Sequence, residues 1–187
     1  MRIISGTAGG ISIHVPKKIT RPTTDRVRES LFSSLGNRVI EAAVLDLFAG
    51  SGALGLECLS RGANSAVFVD EARDACESIR RNLEKAKLSG AKILQRKVIP
   101  FLEGQGPVSK FDLIFADPPY AKDESCADLL ENLLTHTKLP SLLGDTGALI
   151  LETSTRNPLP ETPLWTIPRE KSYGDTRISF LSPILLS

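Results

Sequence analysis

Two groups of residues in this sequence have the types and the spacing that ligand chemistry requires. The first begins at Asp46 with the letters DLFAGSGALG. Its glycines, Gly50, Gly52 and Gly55, form a G-x-G-x-x-G pattern between a predicted strand and a predicted helix. Glycines at these positions let the backbone approach a ligand closely, and an acidic residue that closes the next strand, here Asp70, binds ribose hydroxyls. The pattern predicts an adenosine-binding loop.

Asp46 distinguishes between the adenosine ligands that such a loop can hold. A dinucleotide brings its pyrophosphate to the helix N-terminus, where a carboxylate at the end of the first strand would oppose it. S-adenosylmethionine has no phosphate and carries a sulfonium and an ammonium, so the same carboxylate favours it by about 1 kcal/mol or more. No Gly-Lys-Ser/Thr follows the loop, which disfavours a nucleoside triphosphate. A loop that serves only helix packing is the alternative.

The second group is the sequence DPPY, which follows the apolar run 111–116. Pro118 and Pro119 fix φ near −65° and remove two backbone donors, so this turn presents acceptors. The Asp117 carboxylate and the Pro118 carbonyl could together accept both N–H bonds of an exocyclic base amine, while Tyr120 stacks on the ring. Acceptors that offset the growing positive charge on the nitrogen assist its attack on a methyl sulfonium. An ordinary strand-to-loop breaker is the alternative.

The elements that must position these groups alternate between short apolar runs and longer amphipathic stretches, which is typical of an α/β fold with a parallel sheet. Strands are predicted at 43–48, 65–69, 91–95, 111–116 and 148–152, and helices at 54–60, 72–88, 99–103 and 126–135. Gly62 and Gly90 are placed as helix C-caps. The ends of the chain predict an antiparallel hairpin around residues 173–175, a second hairpin in the first 20 residues, and a helix capped by Thr24 or Asp25.

Composition limits the remaining possibilities. A chain of 187 residues that is 41% hydrophobic fits one domain with one ordinary core. The net charge of +1 conceals an asymmetry, because residues 1–40 hold seven basic and two acidic side chains. Three cysteines without a Cys-x-x-Cys and two distant histidines predict neither disulfides nor a metal site. With no secretory or membrane-spanning segment, we expect a soluble cytoplasmic protein without a membrane partner.

Taken together, DLFAGSG, DPPY and the sequence RPTTDRVRE at 21–29 resemble the bacterial RsmD-type methyltransferases. That family methylates the N2 amine of one guanine in small-subunit (16S) ribosomal RNA. The first two motifs are shared by many amino-methyltransferases, whereas RPTTDRVRE is specific to a much narrower set of proteins. The resemblance covers most of the chain and implies a Rossmann-like class I methyltransferase. Its sheet is mostly parallel and seven-stranded, with an antiparallel last strand, and it follows an N-terminal β-hairpin and helix.

The resemblance also implies roles for individual residues. S-adenosylmethionine would be the cofactor and S-adenosylhomocysteine its product. The partner would be ribosomal RNA or the small ribosomal subunit. The chain would be a monomeric, metal-free single domain with an N-terminal arm at 1–22 and a catalytic core at 23–187. The target base would be held by Asp117, Pro118, Pro119 and Tyr120. The cofactor would contact Asp46, Phe48, Gly50, Gly52, Asp70 and Val98, with Thr23, Thr24 and Arg26 at its methionine end. The basic residues expected at the RNA are Arg2, Lys17, Lys18, Arg21 and Arg28.

The chain departs from the family pattern in two places. Gly9 and Ile11 flank Gly10 where the family commonly has basic residues, and Lys97 stands where an acidic or amide residue often meets the adenine. The other basic residues between Arg73 and Lys97 predict an ordinary solvent-facing helix. Three rival functions stay open at this point: a DNA adenine-N6 methyltransferase, an NAD-dependent oxidoreductase, and a non-catalytic RNA-binding assembly factor.

Overall fold

The computed structural model describes residues 1–16, 24–104, 110–119 and 124–184. Seven strands are present in this part of the chain: β1 Ala43–Leu47, β2 Ser65–Asp70, β3 Ala91–Gln95, β4 Phe111–Ala116, β5 Leu143–Ser154, β6 Trp165–Tyr173 and β7 Thr176–Pro183. They form one sheet in the order β3-β2-β1-β4-β5-β7-β6. Strands β1 to β5 pair in parallel, whereas β7 is antiparallel to both β5 and β6. The predicted sheet with its antiparallel last strand is therefore confirmed.

Helices cover both faces of this sheet. The α-helices in the described ranges are α1 Asp25–Leu35, α2 Ala53–Ser60, α3 Arg73–Ala86, α4 Val98–Glu103, α5 Glu124–Thr135 and α6 Lys138–Ser141. Successive residues of a strand feed two different cores, as the alternation of side chains across a sheet requires. Val44 and Leu113 pack in one cluster, while their neighbours Leu45 and Ile114 pack in the other. None of the helices placed in these ranges is long and apolar enough to cross a membrane.

The predicted N-terminal hairpin is present in a short form within residues 1–16. Its two arms are antiparallel, with a bridge between Arg2 and Ser12 and backbone hydrogen bonds from the Ile3 amide to the Ile11 carbonyl and from the Ile13 amide to the Met1 carbonyl. Helix α2 binds further backbone amides of this segment. The Glu57 carboxylate accepts hydrogen bonds from the amides of Ile4 and Ser5, and the Ser60 hydroxyl accepts one from the next turn of the segment. The segment is therefore a short hairpin that α2 also fastens to the core.

The predicted helix boundaries are confirmed at two ends and wrong at a third. Thr24 caps α1, since its hydroxyl accepts a hydrogen bond from the amide of Val27. Gly62 follows the end of α2 with a φ of 97°. Gly90 does not cap α3, because Lys87 adopts the left-handed conformation three residues earlier. Gly90 is needed instead for close approach to β2, where a Cβ would lie 2.8 Å from the carbonyl oxygen of Asn64.

Candidate functional site

The two predicted motifs leave adjacent strands at the same edge of the sheet. Leu47, the last residue of β1, pairs with Ala116, the last residue of β4. The glycine loop therefore starts at Phe48 beside the turn that starts at Asp117. The strand order also reverses here, because β1 continues toward β2 and β4 continues toward β5. Ligands of open α/β sheets bind in the crevice that such a reversal creates.

The glycine loop has the backbone conformation of a ligand cradle. Gly50 and Gly52 have φ values of 56° and 77°, and Phe48 is held at 57°, which a non-glycine residue rarely adopts. Such a backbone is costly by about 1 kcal/mol or more and clusters at functional sites. Gly55 has a packing role, since a Cβ there would lie 2.3 Å from the ring of Phe68. The third glycine of the pattern thus brings α2 close to β2.

Asp70 connects the end of β2 to this loop. Its carboxylate accepts a hydrogen bond from the Gly50 amide at 2.8 Å through one oxygen and from the Ala72 amide at 2.8 Å through the other. Burial raises the pKa of Asp70, and the two amide hydrogen bonds oppose that shift. Each carboxylate oxygen has a second lone pair. Asp70 can therefore hold the loop and accept ribose hydroxyls at the same time.

Asp46 lies beneath the loop and is only 2% exposed. Its Oδ2 accepts a hydrogen bond from the Gly55 amide at 2.9 Å, and the described residues make no other hydrogen bond to it. Burial raises the pKa of Asp46 from 3.8 to about 7; the Gly55 hydrogen bond opposes the shift and the nearby Asp70 charge adds to it. Contact with the cofactor stays a prediction for this residue. Its visible role is to anchor the first turn of α2.

Asn82 is a positioning residue that the sequence reading missed. Its side-chain amide donates hydrogen bonds to the carbonyl of Ser51 in the glycine loop, at 3.0 Å, and to the carbonyl of His14, at 2.9 Å. Its oxygen accepts a hydrogen bond from the His14 amide at 2.7 Å. The residue joins the cofactor loop to the N-terminal segment. The available signal was a polar residue on the apolar stripe of α3, next to Leu83 and one turn after Ile79.

The three described residues of the Asp-Pro-Pro turn differ in solvent exposure. Asp117 is half-buried, Pro118 is buried and Pro119 is exposed. Tyr120, the fourth predicted residue of the turn, lies outside the described residues. The turn therefore presents one carboxylate and a rigid backbone at the crevice.

The remaining predicted residues lie around this edge or outside the described ranges. Arg26 is exposed on the first turn of α1, and Arg2 is exposed 3.5 Å from Asp25. Val98 is buried at the start of α4. The exposed Lys97 precedes it and lies 3.9 Å from Glu71, which gives this lysine an ionic partner at the surface. Four predicted residues belong to the part that is not described: Lys17, Lys18, Arg21 and Thr23.

The expectation that Arg28 lies at the RNA-facing surface is wrong. Its guanidinium is fully buried rather than part of a basic RNA-facing surface, because it organises the elements around the N-terminal segment. Nη2 donates hydrogen bonds to the Arg2 carbonyl at 2.6 Å and to Asp25 at 2.8 Å, and Nη1 lies 4.0 Å from Glu57. Glu57 also accepts a hydrogen bond from Arg61 at 2.7 Å. Part of the narrow motif RPTTDRVRE is thus explained by a buried ionic cluster.

We expect Glu57→Gln to lower the free energy of unfolding by about 3 to 5 kcal/mol, because the fully buried Glu57 carboxylate is a negative partner of both Arg28 and Arg61. Chemical denaturation measures this change. The matched control is Glu77→Gln, which breaks the exposed pair with Arg73 at 2.8 Å and should cost under about 1 kcal/mol. Equal costs for the two variants would contradict a structural role for the buried cluster.

Asp70→Ala should weaken S-adenosylmethionine binding by about 10-fold or more, since both the loop anchor and the ribose acceptor are lost. Calorimetric titration with the cofactor tests this. Glu71→Ala is the control, because this neighbouring side chain is exposed and, within the described ranges, its ionic partner is Lys97. Unchanged binding in Asp70→Ala would mean that the ribose is held elsewhere.

Comparison with known proteins agrees with this geometry. The family described as Conserved hypothetical protein 95 matches residues 1–182. The chain belongs to this family. It is 36% identical to the ribosomal RNA small subunit methyltransferase D of Escherichia coli over 176 residues, covering 93% of this chain and 85% of that protein. The corresponding protein of Haemophilus influenzae is 32% identical and covers 93% of this chain and 89% of its own length.

Solved structures agree with the placement in the Conserved hypothetical protein 95 family. A hypothetical protein from Thermus thermophilus superposes with a TM-score of 0.80 at 32% identity, covering 98% of this chain and 99% of the other. The predicted resemblance and the class I methyltransferase fold are confirmed. The chain is an S-adenosylmethionine-dependent methyltransferase, so the NAD-dependent alternative is set aside. The buried carboxylate beneath the loop fits this cationic cofactor better than it fits a pyrophosphate.

Proposed function

We propose that this methyltransferase acts on the exocyclic N2 amine of a guanine in small-subunit ribosomal RNA. The observation that carries the proposal is the pairing of Leu47 with Ala116, which puts the glycine loop and the Asp-Pro-Pro turn on neighbouring strand ends. The 36% identity to a ribosomal RNA small subunit methyltransferase over most of both chains supports an RNA substrate. We also propose that the protein is cytoplasmic and monomeric and that it binds ribosomal RNA or the small ribosomal subunit.

The residues around the crevice fit S-adenosylmethionine. The loop backbone at Phe48, Gly50 and Gly52 admits a ligand closely, and Asp70 accepts the ribose hydroxyls. Asp46 supplies negative charge beneath the loop. The other residues that we assign to the cofactor are the backbone of Val98 for the adenine, and Thr23, Thr24 and Arg26 for the methionine end.

The base-holding residues prepare the amine. S-adenosylmethionine, when bound, would supply a methyl group on a positively charged sulfur, and breaking of the sulfur–methyl bond would leave neutral S-adenosylhomocysteine. The Asp117 carboxylate and the Pro118 carbonyl accept the two N–H bonds of the guanine amine, Pro119 keeps the turn rigid, and Tyr120 stacks on the base. This geometry frees the nitrogen lone pair from the base and aims it along the line of attack. As the new N–C bond forms, the Asp117 carboxylate offsets the positive charge on nitrogen and can take up the proton that leaves.

Transfer of labelled methyl groups tests the choice of polymer. Unmodified small ribosomal subunits, the naked ribosomal RNA and DNA are offered in parallel with labelled S-adenosylmethionine. We expect label in the subunit or its RNA and none in DNA. Label in DNA alone would favour the adenine-N6 alternative. Cofactor binding without label in any polymer would favour a non-catalytic assembly factor.

A further inference from the structure

The second half of α3, strand β3 and the turn that follows carry an unusual excess of positive charge. Between Glu77 and Glu103 the chain has a single acidic residue, Glu84. The same stretch has seven basic side chains, all exposed: Arg80, Arg81, Lys85, Lys87, Lys92, Arg96 and Lys97. We call this set the α3–β3 basic surface. It extends beyond the solvent-facing helix that the sequence predicted, because it continues onto a strand and a turn.

This surface lies at one edge of the molecule and reaches the crevice. Among the described strands, β3 lies at one end of the sheet order and pairs only with β2, so Lys92 lies on an edge strand. The amide of Arg96 donates a hydrogen bond at 2.9 Å to the carbonyl of Asp70, the residue that holds the glycine loop. The basic surface therefore ends where the candidate cofactor site begins.

The N-terminal segment adjoins the same surface. Lys85 donates a hydrogen bond to the carbonyl of Ser12 at 2.7 Å, and Asn82 holds the backbone of His14. The described N-terminal segment, residues 1–16, therefore lies against this basic surface. Outside residues 1–40 and the basic stretch, the chain holds 9 basic and 19 acidic side chains, although the net charge of the whole protein is +1.

Few of these charges are neutralised. Within the described part of the chain, Lys97 has an ionic partner in Glu71, whereas the other six members of the surface form no ion pair. An unneutralised basic surface attracts polyanions and gains affinity from the counterions that they release.

We propose that the α3–β3 basic surface binds phosphate groups of the RNA that flanks the target guanine. The inference rests on the proposed function and adds the path of the substrate across the protein. RNA is the occupant that the geometry favours, because the surface is continuous with both the crevice and the N-terminal segment. Contacts of this kind position the nucleic acid without reading its sequence, so they would hold the target base near Asp117.

A double variant, Arg81→Gln with Lys92→Gln, tests the surface at two positions away from the crevice. We expect about 10-fold weaker binding of an unmodified small-subunit RNA transcript at 0.1 M salt. The slope of log K against log salt should become shallower by about 1.5, since two phosphate contacts are lost. Cofactor affinity should stay unchanged, because neither side chain borders the cofactor loop.

The matched control is Arg156→Gln with Arg169→Gln, which removes the same charge near the opposite edge of the sheet. Both side chains are exposed, and Arg169 lies on β6. Unchanged RNA binding in the Arg81 and Lys92 variant, or an equal loss in the control, would overturn the proposed surface. If the wild-type protein binds the transcript but transfers no methyl group, the proposed function fails, while the comparison of the two variants still decides the surface.

Discussion

Replacing Asp117 by Ala should lower the rate of methyl transfer by about 10³-fold while leaving S-adenosylmethionine affinity within about threefold of the wild-type value. The carboxylate interacts with the amine as positive charge develops on it, so its removal raises the barrier of the chemical step. The cofactor loop leaves a different strand and keeps its anchors at Asp46 and Asp70. Single-turnover kinetics and calorimetric titration measure the two quantities separately.

The control for this variant is Asp112→Ala, at the other end of the same strand. Asp112 is exposed and accepts a hydrogen bond from the Ala43 amide at 2.8 Å, away from the crevice. The Asp112→Ala variant should transfer methyl groups at the wild-type rate. An Asp117→Ala variant as active as this control would contradict the proposed mechanism. Loss of cofactor affinity in Asp117→Ala would indicate instead that Asp117 belongs to the cofactor site.

The second large effect is expected at Asp46, where function and stability conflict. Its pKa of about 7 lies above the ordinary 3.8, so the folded protein binds this proton more tightly than the unfolded chain does. The free energy of unfolding therefore decreases as the pH rises from about 4 to about 7, and the full cost applies above pH 7. We expect Asp46→Asn to remove this cost and stabilise the protein by as much as about 4 kcal/mol at pH 8.

The same variant should bind S-adenosylmethionine about 10-fold more weakly at pH 7.5, because the cofactor's positive charges lose a buried counter-charge. The carboxamide oxygen can still accept the Gly55 amide hydrogen bond, so the loop should keep its shape. Denaturation between pH 5 and pH 8 and calorimetric titration test both effects, with Asp112→Asn as the control. A more stable variant with undiminished affinity would show that Asp46 serves only the fold. An unchanged pH profile would contradict the raised pKa.

The parts of the fold that follow local rules could be predicted from the sequence. Strands β3 and β4 lie at the predicted residues. The central strand β4 is largely buried, and such a strand appears as a bounded apolar run. The glycine loop and the Asp-Pro-Pro turn were predictable for a similar reason. Only Gly or a strained residue adopts the backbone that the loop requires, and proline fixes its own φ.

The features that depend on distant partners were not predictable. From the sequence alone, Arg28 is expected to be a surface cation. The fold buries it and places Glu57, 29 residues away in sequence, opposite its guanidinium. The anchoring of the N-terminal hairpin to α2 was not predictable for the same reason, since it depends on Glu57 accepting hydrogen bonds from the amides of Ile4 and Ser5. Asn82 acquires its role only when the glycine loop and the N-terminal segment converge on it. No local pattern distinguishes such groups, because their burial depends on the assembled core.

The most direct test of the central claim is the identity of the methylated atom. Small ribosomal subunits lacking the modification are incubated with the protein and labelled S-adenosylmethionine, and the RNA is digested to nucleosides. The account predicts label in N2-methylguanosine. Label confined to another nucleoside, such as N6-methyladenosine, would contradict it.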